Sequence, residues 1–161
     1  MTADKLSAEI LRQHKGVSFV GVTTCFLMYD ETGEFFMAKR SKNARDENGR
    51  WEIQGGGLKW GQTAEENMIR EMREESGAEA QKIDFLGYRD VFRTLDDGTP
   101  THWIALDFAV LVDKDKVKIT EPDMFDDSGW FTLGNQPSPL HSQHKTLINK
   151  HRDKLKIILK D

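Results

Sequence analysis

The chain has 161 residues, of which 37% are hydrophobic and 31% are charged, as in an ordinary globular protein. This length fits one domain, which we predict to span residues 1–161. A net charge of −4 argues against a nucleic acid polymer as partner. No signal-peptide pattern or long apolar run occurs, so we expect a cytoplasmic location and no membrane association. Homodimerisation is left open.

The hydrophobic pattern predicts alternating helices and strands. Helical spacing of apolar residues predicts helices over residues 3–13, 64–76 and 141–159, the first with Thr2 as its cap. Runs of apolar and β-branched residues predict strands over 17–29, 34–39, 51–53, 82–91 and 103–112, and a short apolar segment at 130–133. This alternation favours an α/β fold in which strands are sandwiched between helices.

The central helix, residues 64–76, has the clearest boundaries. Thr63 is a favourable N-cap, and Glu66 three residues later completes a capping box. Gly77 is suited to the left-handed conformation that ends many helices. These signals agree on both ends of the helix.

Three glutamates of this helix predict a metal site. Glu71, Glu74 and Glu75 are separated by three and four residues, so their carboxylates project from one face and repel one another. Mg²⁺ would remove that repulsion, because it binds a few carboxylates and keeps waters and phosphate oxygens as other ligands. Mn²⁺ would fit the same site. On their own, however, the glutamates favour a solvated helix face.

The segment from Gly56 to Ala78, GGLKWGQTAEENMIREMREESGA, resembles the Nudix box Gx5Ex7REUxEExGU, in which U is apolar, and departs from it only at Gln62. The flanks, KR at 39–40, GRW at 49–51 and WF at 130–131, are also similar to the family. The resemblance implies an α/β/α sandwich with a mixed β-sheet between helices. It also implies Mg²⁺-dependent hydrolysis of a diphosphate linkage in a nucleotide, by water attack at phosphorus.

The resemblance also implies roles for individual residues. The metal ligands are expected to be Glu71, Glu74, Glu75 and the backbone carbonyl of Gly56. Arg70 is expected to orient these carboxylates, although it also suits a surface ion pair with Glu74 four residues later. Glycines at 55, 56 and 57 (Gly55, Gly56 and Gly57) would let the backbone approach the substrate without side-chain interference.

The general base is left open among three carboxylates. Glu74 and Glu75 are candidates on the helix, and Glu121 lies where the family has a further carboxylate. Glu121 belongs to an acidic loop, and three aspartates of this loop are further candidates for the base: Asp123, Asp126 and Asp127. A solvated turn explains this loop equally well, because acidic turns are common.

Two positions depart from the family pattern. Gln62 replaces a glutamate expected to pair with the box arginine, which keeps an acceptor but loses a charge. Gln54 replaces the proline that usually precedes the glycines, so the entering loop is expected to be less rigid. We expect a weaker brace and an active enzyme.

Several residues outside the box are of the types that bind phosphate, bases or metal ions. Arg40 is a better candidate than Lys39 for a phosphate contact, because its guanidinium can bind phosphate through two hydrogen bonds. Either residue also suits a surface position at a strand end. Cys25 in its apolar setting is interpreted as a small buried side chain and not as a nucleophile. The aromatic residues able to stack on a base are interpreted as core, namely Phe19, Trp103 and Trp130. Zinc is not assigned to the histidines of the last helix, His141, His144 and His151.

Elimination leaves a nucleoside triphosphate or a related nucleoside diphosphate derivative as the leading substrate. Arg93 and Thr94 stand where ADP-ribose hydrolases of the family often have a proline, and Leu95 and Asp96 stand where those acting on dinucleoside polyphosphates often have a tyrosine. The alternatives are sugar-nucleotide or ADP-ribose hydrolysis, or a ligand-sensing domain without catalysis. The isopentenyl diphosphate isomerase branch needs a catalytic cysteine, which Cys25 suits poorly.

Overall fold

The computed structural model describes residues 7–160, in which helices pack on a seven-stranded sheet. The strands are β1 Gly21–Tyr29, β2 Phe35–Arg40, β3 Trp51–Glu52, β4 Gln54–Gly57, β5 Lys82–Thr94, β6 Pro100–Leu111 and β7 Phe125–Phe131. The helices are α1 Ala8–His14, α2 Ala64–Ser76, α3 His144–Lys150 and α4 Arg152–Leu159, with a 3-10 turn at Lys114–Lys116. No helix in this part of the chain is long and apolar enough to cross a membrane.

The sheet is mixed, as the α/β prediction requires. Its main path runs β3-β2-β1-β6-β5, with β4 paired to β1 and β7 paired to β2. The central pair β1 and β6 is parallel, whereas the other pairs are antiparallel. The predicted α/β fold with a mixed sheet is therefore confirmed.

Each face of the sheet carries its own core. Because successive strand residues point to opposite faces, Phe26 of β1 packs with Met68 and Met72 of α2, whereas Leu27 packs with Leu147 and Leu155 of the last two helices. Helix α2 is thereby fixed on one face, and α3 and α4 are fixed on the other. The sandwich follows from this two-sided burial.

Most predicted element boundaries agree with the structure. Helix α2 spans the predicted residues, with both bonds of the Thr63–Glu66 capping box present and Gly77 left-handed at φ 62°. The first helix is described over Ala8–His14 after a Ser7 cap, and the predicted helix residues 3–6 and the Thr2 cap lie outside the described residues. Strand β5 runs on to Thr94 because β5 and β6 pair along their whole length.

The prediction of a single helix over 141–159 was wrong. The chain forms two helices that meet at His151, whose backbone leaves helical geometry at φ −109° and ψ 16°. The ring of His151 reaches inward, where its Nε2 lies 2.7 Å from a carboxylate oxygen of Asp107. His141 precedes α3 and does not belong to it.

Asp107 is the centre of a buried polar network between the sheet and the last two helices. It is fully buried on β6 and accepts two hydrogen bonds from Arg89, from Nε at 2.6 Å and from Nη2 at 3.0 Å. The third contact is the His151 ring. A buried charged pair of this kind is costly to break, because the remaining partner is left uncompensated.

We therefore expect Asp107→Ala to reduce the free energy of unfolding by about 3–5 kcal/mol, since Arg89 would remain charged in the core. Urea unfolding measures the change. The matched control is Asp90→Ala, which removes an exposed carboxylate 3.2 Å from His102 and should cost less than about 1 kcal/mol. Equal losses in the two variants would contradict a structural role for the network.

Candidate active site

The acidic loop after the 3-10 turn is attached to the end of helix α2. The backbone N–H of Lys118 donates to the Ser76 carbonyl at 3.1 Å, and that of Thr120 donates to the Glu75 carbonyl at 3.0 Å. These bonds satisfy carbonyls that a helix end leaves unpaired. They also hold Glu121, the next residue along the chain, beside the helix that carries the box glutamates.

The glycine strand β4 packs closely against Glu71 of α2. A Cβ added at Gly56 would lie 2.1 Å from Cδ of Glu71, so a side chain at this position would displace the carboxylate. The Gly56 carbonyl already accepts two long hydrogen bonds of 3.3 Å, from Thr24 Oγ1 and Asn67 Nδ2. Metal binding by this carbonyl would compete with them.

Arg70 connects the carboxylates of the helix. Its Nη2 lies 2.8 Å from Glu71 Oε1, and its Nη1 donates to Glu74 Oε2 at 2.8 Å. Its Nε donates to Gln62 Oε1 at 3.1 Å, and Nη2 also reaches Asn67. The brace is therefore made with glutamine at position 62. The Glu74 side chain is 48% exposed and that of Glu71 is 15% exposed, so the two ion pairs differ in solvent screening.

Glu75 is the most perturbed carboxylate of the site. Its Oε2 is buried and has no hydrogen-bond partner within residues 7–160. Burial raises the pKa of Glu75 well above its ordinary value, and the negative charges of Glu52, Glu71 and Glu121 raise it further. The pKa of Glu121 is also raised, by burial and then by Glu71 and Glu74. These shifts arise in part because the carboxylates lie within electrostatic reach of one another.

This donor set fits a hard divalent cation. It offers oxygen ligands, an unpartnered carboxylate oxygen on Glu75 and an excess of negative charge, which Mg²⁺ and Mn²⁺ neutralise. Within the described residues, no three His, Cys, Asp or Glu side chains are gathered closely enough to hold a metal ion as they stand. Ligation by Glu71 or Glu74 would compete with their ion pairs to Arg70.

A pocket of about 250 Å³ lies beside the glycine strand, on the sheet face opposite α2. Its walls combine the backbone of β4 with side chains from β1, β3, β5 and β6, among them Cys25, Glu52, Arg89, Trp103 and Ala105. Glycines 55, 56 and 57 line this pocket, and Gly56 also contacts Glu71 of α2. A ligand in the pocket would thus lie next to the carboxylate helix.

Arg40 lines the pocket, but its guanidinium is engaged by the protein. Its Nε and Nη2 bind Asp46 through the backbone carbonyl at 2.8 Å and a carboxylate oxygen at 3.1 Å, and Nη1 binds Glu52 at 2.7 Å. Arg45 lines the same pocket, is exposed, and has no ion-pair partner among residues 7–160. Of these two arginines, Arg45 is the better placed for a phosphate.

Lys15 is a cation that the sequence analysis missed. It follows helix α1, and its Nζ donates to the Leu58 carbonyl at 2.6 Å and lies 5.8 Å from the ring centroid of Trp103. Burial lowers its pKa, whereas the charge of Glu71 acts in the opposite direction. Lys15 is 43 residues from its partner Leu58 along the chain, so no local sequence pattern predicts the contact.

The remaining sequence predictions have mixed outcomes. Burial raises the pKa of the Cys25 thiol to about 12, with a smaller effect from Asp107, so the thiol is protonated at neutral pH.

Trp103 lines the pocket, and Trp130 packs edge-on to Phe36 at 5.5 Å between ring centroids. Phe19 is 47% exposed, so its interpretation as core was wrong. Asp126 and Asp127 are exposed on β7, and Asp123 is exposed in the preceding loop.

The family model described as the NUDIX domain matches residues 20–150, and the chain belongs to the Nudix family. A MutT NUDIX hydrolase from Burkholderia pseudomallei is 24% identical with a TM-score of 0.71, and the match covers 82% of this chain and 98% of the other. The NUDIX domain of Shewanella oneidensis NrtR, solved in complex with ADP ribose, is 15% identical with a TM-score of 0.67 and coverages of 93% and 99%. The MutT protein from Methanosarcina mazei Go1 is 24% identical with a TM-score of 0.65 and coverages of 88% and 96%. At these identities the similarity shows the fold.

The raised pKa of Glu75 predicts a pH dependence of stability in metal-free protein. A carboxylate whose folded pKa is raised stabilises the fold while it is protonated, and this stabilisation is lost as pH rises from the ordinary glutamate value through the folded pKa. Glu75→Gln cannot ionise, so with EDTA present it should gain stability relative to the wild type as pH rises.

Urea unfolding at pH 5 and pH 8 tests this expectation. Glu65→Gln, at an exposed position in the first turn of the same helix, should keep the pH dependence of the wild type. Parallel pH profiles for the wild type and Glu75→Gln would show that Glu75 is not under electrostatic strain.

Proposed function

We propose that the protein hydrolyses a diphosphate linkage in a nucleotide, with a nucleoside triphosphate as the leading substrate. The observation that carries the proposal is the buried carboxylate oxygen of Glu75, which has no hydrogen-bond partner among residues 7–160 and lies among the charges of Glu52, Glu71 and Glu121. Such a concentration of negative charge is unfavourable in the free protein and suits a cation-dependent phosphoryl site. The adjoining pocket would receive the rest of the nucleotide.

Glu71, Glu74, Glu75 and the Gly56 carbonyl would hold Mg²⁺, or Mn²⁺ in its place. When bound, the cation neutralises charge on the diphosphate and lowers the pKa of coordinated water. Arg70 would act as a positioning residue, because it contacts Glu71 and Glu74 and fixes their orientation. All three box glutamates are retained, which favours catalysis over ligand sensing.

Proton transfer is assigned to a carboxylate with a raised pKa. Glu75 and Glu121 both have one in the metal-free protein, and a carboxylate with a higher pKa is a stronger base toward the attacking water. Glu74 is a weaker candidate, since it is half exposed and paired with Arg70. The expected step is attack of water on phosphorus with departure of the pyrophosphate group.

Removal of the Glu75 charge tests the metal site. Glu75→Gln keeps the shape of the side chain, and we expect turnover to fall by about two to four orders of magnitude because the site loses a metal ligand or its base. Steady-state assays with Mg²⁺ measure this, and circular dichroism checks the fold. Glu65→Gln should retain normal turnover, and near-normal turnover of Glu75→Gln would refute the assignment.

Arg45 is expected to bind a substrate phosphate at the pocket mouth. Arg45→Ala should raise KM by about 10-fold with little change in kcat, as for a charge-assisted hydrogen bond formed in the bound substrate. Lys42→Ala removes an exposed cation of the same loop that does not line the pocket, and its KM should not change. A KM effect of equal size in both variants would indicate general electrostatics instead of a contact.

A metal-supplemented screen of nucleoside triphosphates, sugar nucleotides, ADP-ribose and dinucleotides, with product identification, tests the substrate. We expect nucleoside monophosphate and pyrophosphate from a triphosphate. The ADP ribose bound by the NrtR domain makes ADP-ribose the alternative to be compared directly. Hydrolysis of a sugar nucleotide or of ADP-ribose, without hydrolysis of any triphosphate, would overturn the choice of substrate.

A further inference from the structure

A recess of about 70 Å³ lies next to the pocket beside the glycine strand. Six of its eight lining residues also line the pocket, so the two spaces adjoin. The two lining residues found only in the recess are His144 and Leu147 of helix α3. A ligand that extends through the pocket away from the carboxylate helix would therefore end between the sheet and α3.

Arg89 supplies an unused hydrogen-bond donor to the walls of this recess. Its side chain is only 4% exposed, and Nε and Nη2 are committed to Asp107. Its Nη1 is buried and has no partner in the described part of the chain. A buried donor without a partner costs about 1–3 kcal/mol, so this nitrogen is set up for a group that the protein itself does not provide.

His144 supplies an unused acceptor to the same recess. The amide orientation of Gln136 is fixed because its Nε2 donates to the Leu133 carbonyl at 2.9 Å. Its Oε1 therefore faces Nε2 of His144, which must carry the ring proton. Burial lowers the pKa of His144 to about 4, so the ring is neutral at pH 7. Its Nδ1 is then a bare acceptor, buried and unpartnered within residues 7–160.

We infer that the recess recognises the edge of a nucleobase on which a carbonyl lies next to an N–H, as in guanine, hypoxanthine and uracil. Arg89 Nη1 would donate to the carbonyl oxygen, and His144 Nδ1 would accept from the ring N–H. Arginine favours a keto oxygen over an amino group, since it can only donate. The recess is large enough for the edge of a ring, and the larger pocket holds the remainder. This inference rests on the proposed nucleotide hydrolysis and specifies its substrate class.

The test compares nucleotides whose base has this carbonyl and N–H edge (keto nucleotides) with nucleotides that have an amino group there (amino nucleotides). The comparison is made in the wild type and in two variants. His144→Phe keeps a ring beside Phe35, whose centroid lies 6.4 Å from the imidazole, but removes the acceptor. Arg89→Lys keeps a cation beside Asp107 but removes Nη1. We expect the wild type to give a kcat/KM about 10-fold or more higher for GTP, ITP and UTP than for ATP and CTP. Both variants should lose that preference by a selective drop on the keto substrates.

His102→Phe is the matched control, because His102 of β6 is half-exposed and does not line the recess; the selectivity of this variant should match that of the wild type. Equal turnover of all five triphosphates, or a uniform loss in His144→Phe, would overturn the inference. Calorimetry with GMP, IMP and AMP in EDTA gives a readout without catalysis. If the wild type binds the keto nucleotides selectively and His144→Phe abolishes that selectivity, base recognition is supported even when no triphosphate is hydrolysed. The absence of hydrolysis would contradict only the proposed function.

Discussion

The close approach of helix α2 to the glycine strand is the contact on which the site depends. Gly56 has no side chain, and the carboxylate of Glu71 occupies the space that a Cβ would fill. This contact brings the box glutamates to the backbone of β4, which also lines the pocket of about 250 Å³. A larger residue would displace Glu71 and separate the carboxylates from the pocket, because interiors leave little room for an added methyl group.

The carboxylate cluster has an energetic cost that the surrounding fold offsets. Burial and mutual repulsion raise the pKa values of Glu75 and Glu121, and within residues 7–160 Arg70 forms ion pairs with Glu71 and Glu74 but not with these two glutamates. Bonds from Lys118 and Thr120 hold the acidic loop against the helix end despite this repulsion. Strain of this kind is typical of sites that are completed by a ligand.

The central helix was predictable because its signals are local. The cap of Thr63 with Glu66, the terminating Gly77 and the spacing of the glutamates all lie within one segment. The break of the last helix at His151 was not predictable from local signals, and the His151 ring contacts Asp107, 44 residues away along the chain. Lys15 and the Arg89–His144 recess were missed for the same reason: only the folded chain brings their partners together. The predicted role of Arg40 as a phosphate ligand did not anticipate its ion pairs with Asp46 and Glu52.

The central claim is that a divalent cation relieves the repulsion around Glu75. Calorimetric titration of Mn²⁺ at pH 6, repeated in two buffers of different ionisation enthalpy, tests it most directly. Because bound carboxylates must be ionised and the pKa of Glu75 is raised, binding should release protons to the buffer. The account predicts saturable binding with proton release in the wild type and loss of both in Glu75→Gln. Absence of binding, or binding and proton release unchanged in Glu75→Gln, would contradict it.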